Sequence, residues 1–156
     1  MPATDQIKEE QLVVFEMAGE SYGVDISRVQ EINRVEAITT VPEVPEYIKG
    51  IINLRGRVTP VIDLRTRFGL PAAEVTARTR VVVVKAQEEW VGVIVDAVSE
   101  VLRIPLDSIE LPSAMITSTD TSFVRGIAKL HERLVILLDL DRVLDKSYHL
   151  ATAAVA

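Results

Sequence analysis

At 156 residues and 48% apolar content, the chain suits one ordinary domain, or two small and tightly joined halves, around a buried core. Its 23 acidic residues against 17 basic ones leave a net charge of -6, the wrong sign for neutralising phosphates or an anionic membrane, which argues against nucleic acid and membrane surfaces as partners. With no cysteine there is no disulfide frame and no thiolate metal site, and His131 and His149 make no zinc site on their own.

Residues 1–10 are polar and hold no apolar stretch of signal-peptide length, so a flexible N-terminus and a cytoplasmic setting are expected. Gln11-Leu-Val-Val-Phe15 reads as a strand, and Gly19-Glu-Ser-Tyr-Gly23 as the turn into the next. Over Asp25–Asn33, the regular spacing of Ile26, Val29 and Ile32 predicts a helical turn or two. Arg57-Val-Thr-Pro-Val-Ile62 closes a hairpin whose turn, Asn53-Leu-Arg-Gly56, places Gly56 where a positive φ is needed. Asp63 follows as the N-cap of a short helix, Leu64–Phe68. Val81–Val84 is a strand suited to burial on both faces, and Trp90 a packing residue at the start of the next. The valine-rich stretch Val95–Leu102 reads equally well as a short helix or a continued strand. Leu134–Leu138 is the last strand, entered from a turn at Leu130–Arg133, and Asp139 caps a terminal helix running from Leu140 towards Leu150. No apolar run approaches the roughly 20 residues that cross a bilayer.

Two blocks recur, each at a constant offset. Leu12–Phe15 and Tyr22–Val24 return as Val81–Val84 and Val91–Val93, and Val24, Ile26, Val29, Glu31 and Ile32 match Val93, Val95, Val98, Glu100 and Val101. Tyr47-Ile-Lys-Gly-Ile51, Leu54, Arg57 and Val61–Leu64 return as Phe123-Val-Arg-Gly-Ile127, Leu130, Arg133 and Leu137–Leu140. The offset of the second block is slightly larger than that of the first, and the difference is an insertion, assigned to the 111–120 loop. Each copy holds about five strands, and closure into a barrel pairs edges that an open sheet would expose. The fold expected is mainly β: two five-stranded barrels from an internal duplication, with short helices and a C-terminal helix.

No catalytic constellation emerges. Gly19–Gly23 lacks the lysine and the strand-to-helix setting of a phosphate loop, and neither a dinucleotide fingerprint nor a nucleophile elbow occurs. Asp63 and Asp139 occupy equivalent places and read as duplicated helix caps rather than a hydrolytic carboxylate pair. His131 sits at a hairpin tip with no identifiable partner. No catalytic residue, metal site or cofactor is expected.

From about Gln11 to Leu144 the chain resembles the CheW family of chemotaxis coupling proteins. The resemblance rests on Tyr22-Gly-Val-Asp-Ile26, Val29-Gln-Glu-Ile32, Tyr47-Ile-Lys-Gly-Ile-Ile-Asn-Leu-Arg-Gly56, Pro60-Val-Ile-Asp-Leu-Arg65, Val91-Gly-Val-Ile-Val-Asp96, Val98-Ser-Glu-Val-Leu102 and Ile136-Leu-Leu-Asp-Leu140, in that order. It implies two intertwined SH3-like barrels, at approximately 11–79 and 80–145 with possible exchange of a strand or the terminal helix, within a single domain of residues 11–145 followed by a C-terminal helix or tail at 146–156. It also implies a non-catalytic adaptor in the cytoplasm, recruited to membrane receptor arrays. Its partners would be the regulatory domain of the histidine kinase CheA and the cytoplasmic tip of chemoreceptors.

The resemblance carries interaction roles to Arg55, to Glu31 as its acidic partner position, and to Val29, Val98, Val101 and Gly50. An arginine beside a tight hairpin offers a planar donor fork, and it equally suits an internal salt bridge with Glu31. Val29 and Val101 suit an open apolar groove or the core. Two rivals share parts of this reading. A kinase regulatory domain or receiver-fused module has the same fold, but 156 residues leave no room for the rest of such a protein. A nucleic-acid-binding barrel would need the basic aromatic face that is missing.

Overall fold

The computed structural model describes residues 8–111, 121–130 and 132–144. Residues 1–7, the insertion beyond Leu111, His131 and the stretch from 145 on, including the expected continuation of the helix to Leu150, lie outside the described residues. The first copy runs β1 (Glu9–Met17), β2 (Glu20–Asp25), a 3-10 turn (Ile26–Arg28), β3 (Val29–Arg34), β4 (Ile48–Leu54), β5 (Arg57–Asp63) and α1 (Leu64–Arg67). The second runs β6 (Arg80–Ala86), β7 (Glu89–Val95), β8 (Ala97–Pro105), a 3-10 turn (Leu106–Ser108), β9 (Ile109–Glu110), β10 (Val124–Leu130), β11 (Arg133–Leu138) and α2 (Leu140–Val143).

The strands form two sheets, ordered β8-β1-β2-β11-β10-β9 and β3-β6-β7-β5-β4. Each copy therefore gives its first hairpin to the other copy's sheet. Hairpin β1–β2 lies between β8 and β11, and hairpin β6–β7 between β3 and β5. Both donated hairpins are held on one side by a short parallel ladder, Ile136↔Tyr22 with Leu137↔Gly23 in one sheet and Val61↔Gly92 through Asp63↔Ile94 in the other.

Both sheets curl. Edge strands of a flat six-stranded sheet would lie about 24 Å apart at roughly 4.8 Å per strand. Yet β8 and β9 are joined through Leu106–Ser108, a link that reaches about 14 Å at full extension. The other sheet joins its edges through a bridge from the β3–β4 connection: Thr39 and Ile51 exchange two 2.9 Å backbone hydrogen bonds. Curling turns Leu12, Val14, Ile104, Ala128, Val135 and Leu137 into one small core. Gly23 and Gly92 stand at equivalent points of the two interiors. A Cβ at Gly92 would come within 2.8 Å of Val81, and one at Gly23 within 3.1 Å of Val135 and 3.2 Å of Leu12.

The larger core lies between the sheets. Val13, Phe15 and Met17 of β1 point into it while Leu12 and Val14 fill the barrel behind, so β1 is buried on both faces. Phe15, Tyr22, Phe68 and Phe123 succeed one another with centroids 6.0, 5.6 and 5.5 Å apart, drawing on both copies. Burying each such side chain contributes ~1.5–3 kcal/mol, so the seam is a main source of stability.

The helix expected over Asp25–Asn33 is reduced to the short turn Ile26–Arg28, and the rest is strand β3. Register decides this. Ile32 pairs with Val82 and Arg34 with Arg80, and a helix here would leave that edge of β6 without partners for its backbone. In the second copy the open alternative resolves as strand β8, whose pairing with β1 shifts register at a bulge between Val14 and Phe15.

Gly50 sits at the register shift between β4 and β5 with φ 146°, and a Cβ there would lie 2.0 Å from the Thr39 carbonyl oxygen. Gly50→Ala is therefore expected to cost ~2 kcal/mol or more, read as a lower urea midpoint at unchanged slope. An unchanged midpoint would mean that the Thr39 bridge is dispensable.

Candidate interaction surfaces

Arg55 owes its position to its turn. β4 and β5 are joined by two residues, Arg55 at φ 54° and Gly56 at φ 82°, both positive as a tight right-twisting hairpin requires, and Gly56 N donates to Asn53 Oδ1 at 2.8 Å. The guanidinium projects from the tip with 77% of its side chain exposed, and its Nη2 lies 3.4 Å from Glu31 Oε2. Glu31 is largely buried and its other oxygen accepts from Asn33 Nδ2 at 2.7 Å. Salt bridge and exposed donor fork thus coexist. With the arginine in solvent, a pair of this kind contributes ~0–1 kcal/mol, so its effect is to aim the arginine rather than to hold the fold.

The second barrel repeats the plan with altered chemistry. Glu100, the counterpart of Glu31, receives Arg133 Nη1 at 2.5 Å, and Arg133 Nη2 also lies 3.3 Å from Ser21 Oγ. Arg57, the counterpart of Arg133, instead lies over the ring of Trp90, 4.4 Å from its centroid, and Trp90 is the counterpart of Ser21. With Arg57 engaged by the indole, Glu31 pairs with the turn residue Arg55.

The apolar candidates divide. Val29 and Val98, counterparts of each other, are half-buried and pack against the inter-sheet core. Val101 points outward from β8 at 52% exposure. Gly50 is buried at its bulge. Ile32, Val58 and Leu134, three of six further exposed apolar residues that also include Val75, Leu106 and Leu111, did not emerge from the sequence as surface candidates. The signal was present: Ile32 is the counterpart of Val101, and Val58 of Leu134, so each barrel shows the same outward pair.

The short helices carry ion pairs that cross between the copies. Asp63 Oδ1 accepts from Arg65 N at 3.0 Å at the start of α1, and Asp139 Oδ1 accepts from Asp141 N at 3.1 Å at the start of α2. From α1, Arg65 reaches Asp96, between β7 and β8, through two hydrogen bonds of 2.8 and 2.7 Å. From α2, Asp141 reaches Arg28, between β2 and β3, at 2.9 Å. The two clamps have opposite polarity at corresponding junctions. Arg65 Nη1 also donates to Pro71 O at 3.0 Å, and Asp96 Oδ2 accepts from Ala18 N at 2.9 Å. The Arg65–Asp96 pair was not legible in the chain, because its members are far apart in sequence and belong to different copies.

Among the described residues no cluster of three or more His, Asp or Glu side chains could hold a metal, and no buried side-chain polar atom lacks a hydrogen-bond partner. No helix among them is long and apolar enough to cross a membrane. The described residues thus form two paired barrels whose equivalent outer positions repeat.

Residues 11–147 match the family described as CheW-like domain. The chain is 40% identical over 145 residues to the chemotaxis protein CheW of Bacillus subtilis (strain 168), covering 92% of each, and 34% identical over 135 residues to that of Klebsiella aerogenes, covering 86% of this chain and 81% of the other. It superposes with a TM-score of 0.82 on the crystal structure of the scaffolding protein TtCheW from Thermoanaerobacter tengcongensis, at 41% identity over 93% of this chain and 94% of that one. The chain belongs to the CheW family of chemotaxis scaffold proteins, which are not enzymes.

The Asp96 carboxyl is held below the usual carboxylate range, chiefly by the Arg65 hydrogen bonds and further by the Ala18 N–H, against the opposing effect of burial. A depressed folded-state pKa contributes stability that is fully present above the unfolded value, about 3.9, and is lost as pH falls through the folded one. The urea midpoint should therefore drop as pH falls from about 4, and Asp96→Asn should lower it at neutral pH while flattening that acid limb. An acid limb as steep in the variant as in the parent would show that the pair is not its source.

Proposed function

We propose that this protein couples chemoreceptors to a histidine kinase: one set of its surfaces engages the kinase regulatory domain and another the cytoplasmic tip of the receptors, in the cytoplasm at membrane receptor arrays. The observation that carries the proposal is that each copy leaves the same two apolar positions exposed, Ile32 and Val58 in the first and Val101 and Leu134 in the second, on a member of the CheW family. A scaffold that joins two partners needs two accessible faces, and duplication supplies them without a second gene product. Arg55, paired with Glu31 next to Ile32 in the chain, adds a charged and exposed donor to the first copy.

Coupling on this reading is a matter of differential contact. Receptor and kinase each have two states, and the scaffold transmits between them to the extent that its contacts differ in strength between those states. Phosphoryl chemistry belongs to the kinase.

Arg55→Glu should leave the melting temperature within a few degrees of the parent while weakening capture of a receptor cytoplasmic fragment or of the kinase regulatory domain by about tenfold, equivalent to ~1.4 kcal/mol. Val101→Asp should do the same, because half of that side chain already faces solvent. Binding is read by titration calorimetry with each purified partner. Unaltered affinity for both partners in both variants, with the fold intact, would overturn the proposal.

A further inference from the structure

Of the twelve arginines in the chain, seven pair with a carboxylate. Arg57 and Arg67 lie over aromatic rings, and Arg80 donates to the Ala77 and Thr79 carbonyl oxygens, each at 2.8 Å. That leaves Arg34 and Arg103, both exposed, which make no ion pair, hydrogen bond or ring contact among the described residues. The two are counterparts, at the offset of the first repeated block.

Both stand on edge strands, β3 and β8, two residues after an exposed apolar residue, Ile32 in one copy and Val101 in the other. Side chains two apart on a strand share a face and stand about 6.6 Å apart. Ile32 lies opposite Val82 and Val101 opposite Val13, both members of the inter-sheet core, so each apolar residue continues that core outward. The arginine comes next along the strand, opposite Arg80 in one sheet and Gln11 in the other. Opposed like charges are unfavourable and a glutamine supplies no counter-charge, so folding does not account for either cation on a chain of net charge -6. Side chains one turn apart on a helix are spaced similarly, at about 5–6 Å. An apolar residue beside an unpaired guanidinium therefore matches a helix that carries an apolar side chain and a carboxylate one turn apart. Resting on the coupling function proposed above, we propose that Arg34 and Arg103 each receive a carboxylate from a partner helix whose neighbouring apolar side chain packs on Ile32 or Val101.

The test measures association of the full chain with a receptor cytoplasmic fragment and with the kinase regulatory domain, at about 50 and about 300 mM salt. The chains compared are the parent, Arg34→Gln, Arg103→Gln and the double variant. At low salt the double variant should associate about fivefold more slowly with at least one partner, the difference should shrink at high salt, and lysine at both positions should recover most of it. Melting temperatures should hold, or rise slightly for Arg34→Gln, which removes a charge opposite Arg80. A clear fall in melting temperature would show a structural role and overturn the proposal. Equal rates and equal salt dependence for parent and double variant, with both partners, would overturn it while leaving the coupling function in place, whereas a parent that binds neither partner would overturn both. Weakened self-association with partner binding unchanged would show that the arginines serve a second copy of the chain, and would also overturn it.

Discussion

The whole architecture depends on two short parallel ladders. β2 beside β11 and β5 beside β7 are the places where a hairpin from one copy is joined to the sheet of the other, and each ladder includes a glycine of the donated hairpin, Gly23 or Gly92. Parallel pairs are slightly weaker per residue than antiparallel ones, and these ladders are short. They hold because the donated hairpin also pairs along its other edge, β1 with β8 and β6 with β3, over a longer antiparallel register. Lacking a side chain, the glycines let the two curled interiors close to contact distance.

Exchange makes the seam compulsory. Since β1 and β6 each belong to one copy by sequence and to the other by pairing, their two faces are both buried, and a change in one barrel meets the inter-sheet core directly. The helix clamps follow the same logic. Arg65 of the first copy holds the β7–β8 junction of the second, and Asp141 of the second holds the β2–β3 junction of the first. A scaffold with rigidly related faces can relay a shift at one face to the other by geometry alone, whereas two barrels on a loose tether would transmit little.

Much of this was legible in the chain, and the reasons are specific. The two constant offsets disclosed the duplication because strand patterns and hairpin turns survive divergence, and the valine-rich runs disclosed buried strands. The Asp25–Asn33 stretch misled because Ile26, Val29 and Ile32 satisfy a helical spacing, while the pairing that makes β3 a strand lies in the other copy, on β6. Family resemblance implied intertwining, but no local pattern says which hairpin crosses. The Arg65–Asp96 and Arg28–Asp141 clamps were hidden for the same reason, since their partners meet only after the exchange. Arg55 and Glu31 could be matched as motif positions, yet the turn geometry was needed to see that the arginine is paired and exposed at once.

The exchanged hairpins make one cooperative body of the two barrels. Amide hydrogen exchange of Gly92→Ala, which forces a Cβ against Val81 in the five-stranded barrel alone, tests this most directly. Protection should fall in both sheets by similar factors, β10 and β11 included. Loss of protection confined to β3 through β7, with the six-stranded sheet protected as in the parent, would contradict it.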